Sequence, residues 1–385
     1  MKTMLYSLKM NRYLFAAFSV FILGYNFFQG LVLSSDSYTY ISWADQLIAN
    51  NLSFSEFHKS KESSFIYFFY DFFLLYISLL KIIFNEFWQT AFFYLNLLYL
   101  GISLKIFYEL SNFSRNQLKI NIILIALLIL SLDFLVWPHF LLTESIFIML
   151  FMSSIFFYRE YFIESNTRNL FYLLGFIVFS ILSLFIKPGS IGLLSGLLFF
   201  HIFKDISWFK NEFLIKIFFI GLIFLIPFIF EFVLNALNDT NNLKISQLIG
   251  YAQSGFIIDD RESTYIISDN INLRDVFLMR LFYFFIPIVP EMSKLHIFAD
   301  SVFALVLFLS LLTWTLFSNR YSIHSKKLCK LMLCIFMFSA FYHSATLIDY
   351  DWRYRFPSLM PMVLFVFYNL KEIFLLYDRS SNSSI

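Results

Sequence analysis

Five charged side chains have the types and the settings for group-transfer chemistry, and each stands at the edge of a long apolar run. Asp36 follows the run 13–33. Glu144 lies in Trp-Pro-His-Phe-Leu-Leu-Thr-Glu-Ser, 137–145. Lys187 lies in Phe-Ile-Lys-Pro-Gly-Ser, 185–190, and Arg353 and Arg355 lie in Asp-Tyr-Asp-Trp-Arg-Tyr-Arg-Phe-Pro, 349–357. A carboxylate can take the proton from an attacking hydroxyl. Lysine offers a point charge to a phosphate, and arginine binds one through two parallel hydrogen bonds. Cations of this kind stabilise charge that develops on a leaving phosphate. The two acids are also oxygen ligands for a divalent cation such as Mg²⁺ or Mn²⁺, with Asp36 and Glu144 as the ligand set.

Each of these residues also has a plain structural reading. Asp is a favoured helix N-cap, which suits Asp36. Glu144 would be stabilised by the dipole of a helix that it opens. Lys187 would snorkel to a membrane interface, and the Trp-Arg-Tyr-Arg cluster would anchor one. His139 reads as an interfacial side chain rather than a metal ligand, and Asp45 as a solvated group. Asp36 heads a segment in which Tyr40, Ile41, Ala44, Leu47 and Ile48 share one helical face, with Thr39, Ser42 and Gln46 on the other.

The elements that must position these groups are membrane helices. The 385 residues are 59% hydrophobic and 14% charged, against about 25% charged in soluble domains. Apolar runs fall at 13–33, 65–84, 88–109, 120–137, 141–158, 169–187, 189–203, 213–236, 276–290, 297–317, 328–348 and 357–377. Most are long enough to cross a bilayer. The first follows Lys2, Lys9 and Arg12 and reads as an uncleaved signal anchor with a cytoplasmic N-terminus. Basic residues gather at 110–119, 158–169, 204–216 and 318–330. All four segments fall on the cytoplasmic side if 65–84 and 276–290 do not cross. Asp71 and Lys81 in the first, and Arg280, Pro287 and Pro290 in the second, favour that reading. The expectation is an all-α bundle of about ten spans in one integral membrane domain. It comprises span 13–33, an outer loop 34–87 with juxtamembrane helices, spans two to seven over 88–236, an outer loop 237–296 and three last spans over 297–377. The rival twelve-span arrangement puts loop 110–119 outside.

Several classes are excluded by what is missing. The sequence has no Walker A, GxGxxG, HExxH or CxxC pattern, no internal repeat and no feature of a nucleic-acid binder. Cys329 and Cys334 are five positions apart on different helix faces, so a disulfide between them is not expected. The 56 phenylalanines have no functional account.

The order of the motifs resembles the GT-C membrane glycosyltransferases, in the branch of protein O-mannosyltransferases, aminoarabinose transferases and their bacterial relatives. Asp36-Ser-Tyr-Thr-Tyr-Ile-Ser-Trp-Ala resembles that family's first outer-loop motif, which includes Tyr40. Glu62-Ser-Ser-Phe-Ile-Tyr-Phe-Phe resembles the segment that follows it, without its prolines. Leu142-Thr-Glu-Ser-Ile-Phe resembles the second acidic motif. Leu184-Phe-Ile-Lys-Pro-Gly resembles the turn that meets the carrier phosphate, and Arg353-Tyr-Arg-Phe-Pro-Ser-Leu-Met-Pro the C-terminal element. The resemblance covers roughly residues 10–205 and 345–377. It implies a polyprenyl-phosphate sugar donor and a glycan, lipid or protein acceptor at the outer face of a bacterial inner membrane. Asp36 and Glu144 would then be catalytic, and Lys187, Arg353, Arg355, Tyr40 and Glu62 would bind substrate. The alternatives are a cell-surface polysaccharide polymerase or ligase and a non-enzymatic transporter of lipid or sugar. A transporter should show repeats and charges near span centres.

Overall fold

The fold is that of a computed structural model, which describes residues 2–60, 65–112, 118–164, 169–238, 273–286, 293–345 and 355–382. Glu62, Arg353 and most of the 237–275 insertion lie outside them. The described residues are helical, with one isolated bridge between Val32 and Phe140. The chain divides into two compact units, Met1–Ser190 and Ile191–Ile385.

The first unit contains α1 (Lys2–Gln29), α2 (Ser35–Ala49), α3 (Phe54–Ser60), α4 (Asp71–Phe84), α5 (Trp88–Leu110), α6 (Leu118–Leu130), α7 (Asp133–Val136), α8 (Glu144–Arg159) and α9 (Leu170–Leu184). Its central element is α8, which is buried nearly all round. This is why its sequence, Glu-Ser-Ile-Phe-Ile-Met-Leu-Phe-Met-Ser-Ser-Ile-Phe-Phe-Tyr-Arg, lacks a polar stripe. Phe157 of α8 stacks on Phe179 of α9 at 5.4 Å. Between lipid-like surfaces such fitting, rather than water exclusion, holds helices together.

α4 and α5 form one apolar helical stretch by length, but not a straight helix. Asn85 between them has φ 46°, and the rings of Tyr76 and Tyr99 lie 6.1 Å apart. In a straight helix residues 23 positions apart would be about 35 Å apart. α4 therefore turns back along α5. Its 14 residues extend about 21 Å, short of the roughly 30 Å hydrocarbon core.

The second unit contains α10 (Ser190–Phe203), α11 (Ser207–Lys210), α12 (Glu212–Asn238), α13 (Leu273–Phe285), α14 (Lys294–Phe317), α15 (Ile323–Ala345) and α16 (Phe356–Asn382). α15 is its buried centre. α16 runs antiparallel to α15: Ser339 meets Ser358 at 2.7 Å, and Phe336 meets Phe365 at 5.5 Å. α10 approaches α15 backbone to backbone. A Cβ on Gly196 would lie 2.4 Å from the Cys334 carbonyl oxygen, and one on Gly192 2.6 Å from Tyr342 Cβ. Gly192-Leu-Leu-Ser-Gly196 is thus a small-xxx-small contact of the kind that brings membrane helices together.

Six described helices are long and apolar enough to cross a membrane, and a seventh if α6 and the bent segment Asp133–His139 act as one. This is an integral, multi-pass membrane architecture. The ten crossings expected from the sequence would also require α1, α9 and α10. α1 is not among the six, and α9 and α10 are shorter, at 15 and 14 residues.

Candidate functional site

One end of the first unit gathers three of the residues singled out by sequence. Glu144 is the first residue of α8, where the helix dipole favours a carboxylate. Lys187 sits in the turn after α9, and its ammonium donates to Glu144 Oε1 at 2.6 Å. Both side chains are almost wholly buried, at 4% and 2% exposed. Ser190 closes the turn, its hydroxyl donating to the Lys187 carbonyl at 2.7 Å. Lys187 therefore does not snorkel to an interface; it is held inside by an acid.

Asp36 is tied to the same end through the backbone. Val32 donates to the His139 carbonyl and accepts from the Leu141 N–H, both at 3.0 Å. These two bonds clamp the segment that enters α2 onto the segment that enters α8. Asn96 of α5 also donates to the Pro138 and Phe140 carbonyls, so that entry is held from a third side. His139 is buried here, stacked on Phe140 at 4.8 Å.

The cap of α2 is not Asp36. Ser34 is the N-cap and forms a capping box with Ser37, each accepting from the other's backbone N–H. Asp36 stands one turn before Tyr40 and two before Trp43, so it shares the face that packs on α4. Tyr40 is buried, its ring 5.2 Å from Phe73 and 5.5 Å from Tyr70. Asp45, expected to be solvated, pairs with Lys81 of α4 at 2.5 Å while remaining 59% exposed.

Three polar pairs were not singled out by the sequence reading. His58 Nε2 meets the Asp71 carboxylate at 3.0 and 3.1 Å, joining α3 to the first residue of α4. Phe72 then donates to the Phe185 carbonyl at 3.1 Å, two residues before Lys187. Just after α7, Trp137 Nε1 donates to the buried Asp133, the first residue of that helix, at 3.0 Å. Asp300 of α14, in the second unit, receives Arg355 in a buried ion pair. The available signal for Asp133 and Asp300 was an acid inside an apolar run, which is costly at membrane depth.

No protein-family model, curated protein or solved structure matches this chain.

The far ends of both units carry polar clusters of a different kind. In the first unit, Arg159 ends α8 and donates to the Glu109 and Leu110 carbonyls at 3.0 and 3.1 Å, capping α5. Glu160, 2.6 Å away, balances its charge. In the second unit, Lys330 pairs with Glu212 at 2.8 Å and donates to the Phe209 carbonyl at 3.0 Å. Glu372 of α16 accepts from the Ser322 hydroxyl at 2.8 Å and the Ser325 hydroxyl at 2.6 Å, at the start of α15. Tyr321 donates to Asn369, and burial holds its phenol above the ordinary tyrosine range, so it remains an O–H donor. Ser318 follows Asp300 by 18 positions, which places the two polar ends of the second unit about 27 Å apart. The far-end groups act as caps and braces on helix termini.

Arg355, the other described cation singled out by sequence, belongs to the second unit. Its guanidinium meets Asp300 with both side chains at most 4% exposed. Among the described residues no three His, Cys, Asp or Glu side chains are grouped to hold a metal ion. Cys329 and Cys334 are buried free thiols.

Proposed function

We propose that the chain is a membrane-embedded, inverting glycosyltransferase that uses a polyprenyl-phosphate sugar at the outer face of a bacterial inner membrane. The observation that carries this reading is the buried Lys187–Glu144 pair, together with the Val32 clamp that brings the Asp36 helix to the same end. In the proposed reaction Asp36 removes the proton from the acceptor hydroxyl. The acceptor oxygen bonds to the anomeric carbon, and the bond from that carbon to the phosphate oxygen breaks with its electron pair passing to the phosphate. A single displacement of this kind inverts the anomeric centre. Lys187, kept charged and oriented by Glu144, stabilises the phosphate as it leaves. Tyr40 fixes the face of α2 on which Asp36 stands.

This reading counts ten crossings: α5, α8, α12, α14, α15 and α16, with α6 bent, and α1, α9 and α10. α4 then lies with α2 and α3 in the outer layer. The motif order described above supports it.

The test is transfer or hydrolysis of labelled sugar from synthetic polyprenyl-phosphate hexoses and pentoses by the reconstituted protein. Wild type should turn over one of them, and Asp36→Asn should lose roughly 10²-fold or more, as for loss of a general base. Absence of wild-type turnover, with labelled lipid crossing the vesicle, would replace the enzyme with a transporter.

A further inference from the structure

The two helices that lead away from the site have exposed sides of opposite character. α2 and α4 run side by side in the same direction. Tyr40 meets Phe73 at 5.2 Å, the Ala44 carbonyl accepts from the Ser78 hydroxyl at 3.2 Å, and Asp45 pairs with Lys81 at 2.5 Å. On α2 the exposed residues are Ser35, Tyr38, Thr39, Ser42, Asp45 and Ala49. Their spacing places them on one side of the helix, and all but Ala49 carry a hydroxyl or a carboxylate. On α4 the exposed residues are Leu79, Ile82, Ile83 and Phe84. α9 is like α4, with Leu174, Ile177, Val178 and Ile181 exposed.

In a chain that is 59% hydrophobic, a helix with a polar outward side is turned to water, and one with an aliphatic outward side is turned to lipid. Lys81 stands on the seam between the two. Its ammonium also lies 5.0 Å over the Trp88 ring, and Lys and Trp are side chains that anchor helices at a bilayer edge. The polar side extends to the proposed base. Thr39 is three positions after Asp36, so the two are neighbours on the helix surface, roughly 5–6 Å apart at Cβ. Asp36 is half-buried and Thr39 exposed, which puts the carboxyl at the border of the water-facing side. Tyr38, 62% exposed, sets an apolar ring among the hydroxyls. A carbohydrate is built to match, with C–H groups on its ring faces and hydroxyls at its edges. A fatty chain finds its match on α4 and α9 instead.

We propose that the exposed side of α2 is the docking surface for the acceptor, and that the acceptor is a water-soluble glycan that reaches Asp36 past Thr39. The acceptor's role rests on the transferase reading; the water-facing side of α2 does not.

Two measurements on the full chain test this. Single cysteines replace Ser42 and Ile83, and intact cells are treated with a charged, impermeant maleimide. Ser42→Cys should react roughly tenfold faster than Ile83→Cys. Equal rates, or the reverse order, overturn the water-facing surface whatever the protein's activity. In proteoliposomes with the polyprenyl-phosphate sugar that wild type turns over, transfer is then compared among water-soluble oligosaccharides released from the cell envelope, hydroxylated lipids and serine-containing peptides. The soluble oligosaccharides should accept the sugar. Thr39→Val should raise their KM roughly tenfold with little change in kcat, and Thr39→Ser should keep the wild-type KM. Transfer to lipid or peptide alone overturns the glycan acceptor and leaves the transferase standing. An unchanged KM in Thr39→Val overturns docking on α2. A wild type that turns over no donor overturns the transferase and its acceptor together, while the labelling ratio still reports which side of α2 faces water.

Discussion

Lys187 and Glu144 meet at 2.6 Å across 43 positions of sequence, with both side chains buried in the first unit. Each alone would be an uncompensated charge inside a helical bundle. Removing one partner of such a pair costs about 3–5 kcal/mol, whereas replacing both with apolar groups of similar volume is often close to neutral. Glu144→Leu and Lys187→Met should each lower the melting midpoint in detergent strongly. The double variant should recover most of the loss while remaining inactive on the lipid-linked donor. Equal destabilisation in the double variant would mean that the pair is not an isolated couple.

The Asp300–Arg355 pair tests the same physics in the second unit, with the partners 55 positions apart. Asp300→Asn keeps the shape but leaves the guanidinium without its counter-charge, and Arg355→Met leaves the carboxylate. Both should destabilise by about 3–5 kcal/mol. A double-mutant cycle on unfolding in mixed micelles should return a coupling energy well above the roughly 1 kcal/mol of an exposed pair. A value near zero would assign the stabilisation to other partners.

Gly196 and Gly221 should respond to alanine with opposite signs. Gly to Ala within a helix ordinarily gains about 0.5–1 kcal/mol. Around Gly221 no atom lies within 4 Å of the added Cβ, so that gain should appear. At Gly196 the Cβ meets the α15 backbone at 2.4–2.8 Å, and α10 must move away. The expected cost is about 1–3 kcal/mol, as for overpacking in a core. Thermal unfolding of the two single variants decides it.

Sidedness can be read by labelling at the two ends of the first unit. Cys329 and Cys334 are fully buried and give a quiet background. A cysteine at the exposed Tyr38 on α2 should react with an impermeant maleimide in intact cells. One at the exposed Lys119, at the start of α6, should react only after permeabilisation. The reverse pattern would put the Asp36 end in the cytoplasm and remove the outer-face reaction.

What the sequence disclosed follows the period of its structure. The buried face of α2, with Tyr40, Ala44 and Leu47, is legible because a helix repeats every 3.6 residues. Glu144 at a helix start and Lys187 at a turn are legible from Leu-Thr-Glu and Lys-Pro-Gly. Their mutual contact is not, because a side-chain pair across helices leaves no periodic trace. Asp36 and Ser34 are both favoured caps. The choice fell to Ser34 because Ser37 completes its box, a detail of two hydroxyl positions. Asp71 was legible as a reason for α4 not to cross, but its partner His58 lies on another helix. Asp300 lies inside the run 297–317, and its partner Arg355 is 55 positions away on another helix.

The clasp at Val32 gives the first unit a mechanical property. One residue, through its N–H and its C=O, joins the strand of chain entering α2 to the strand entering α8. Any shift of α8 that reorients Lys187's partner must drag the head of α2 with it. Occupancy on the phosphate side would then be felt on the acceptor side as strain in two hydrogen bonds rather than through a chain of side chains. An insertion of a single residue at 33 or 140 would release that linkage while leaving every helix intact.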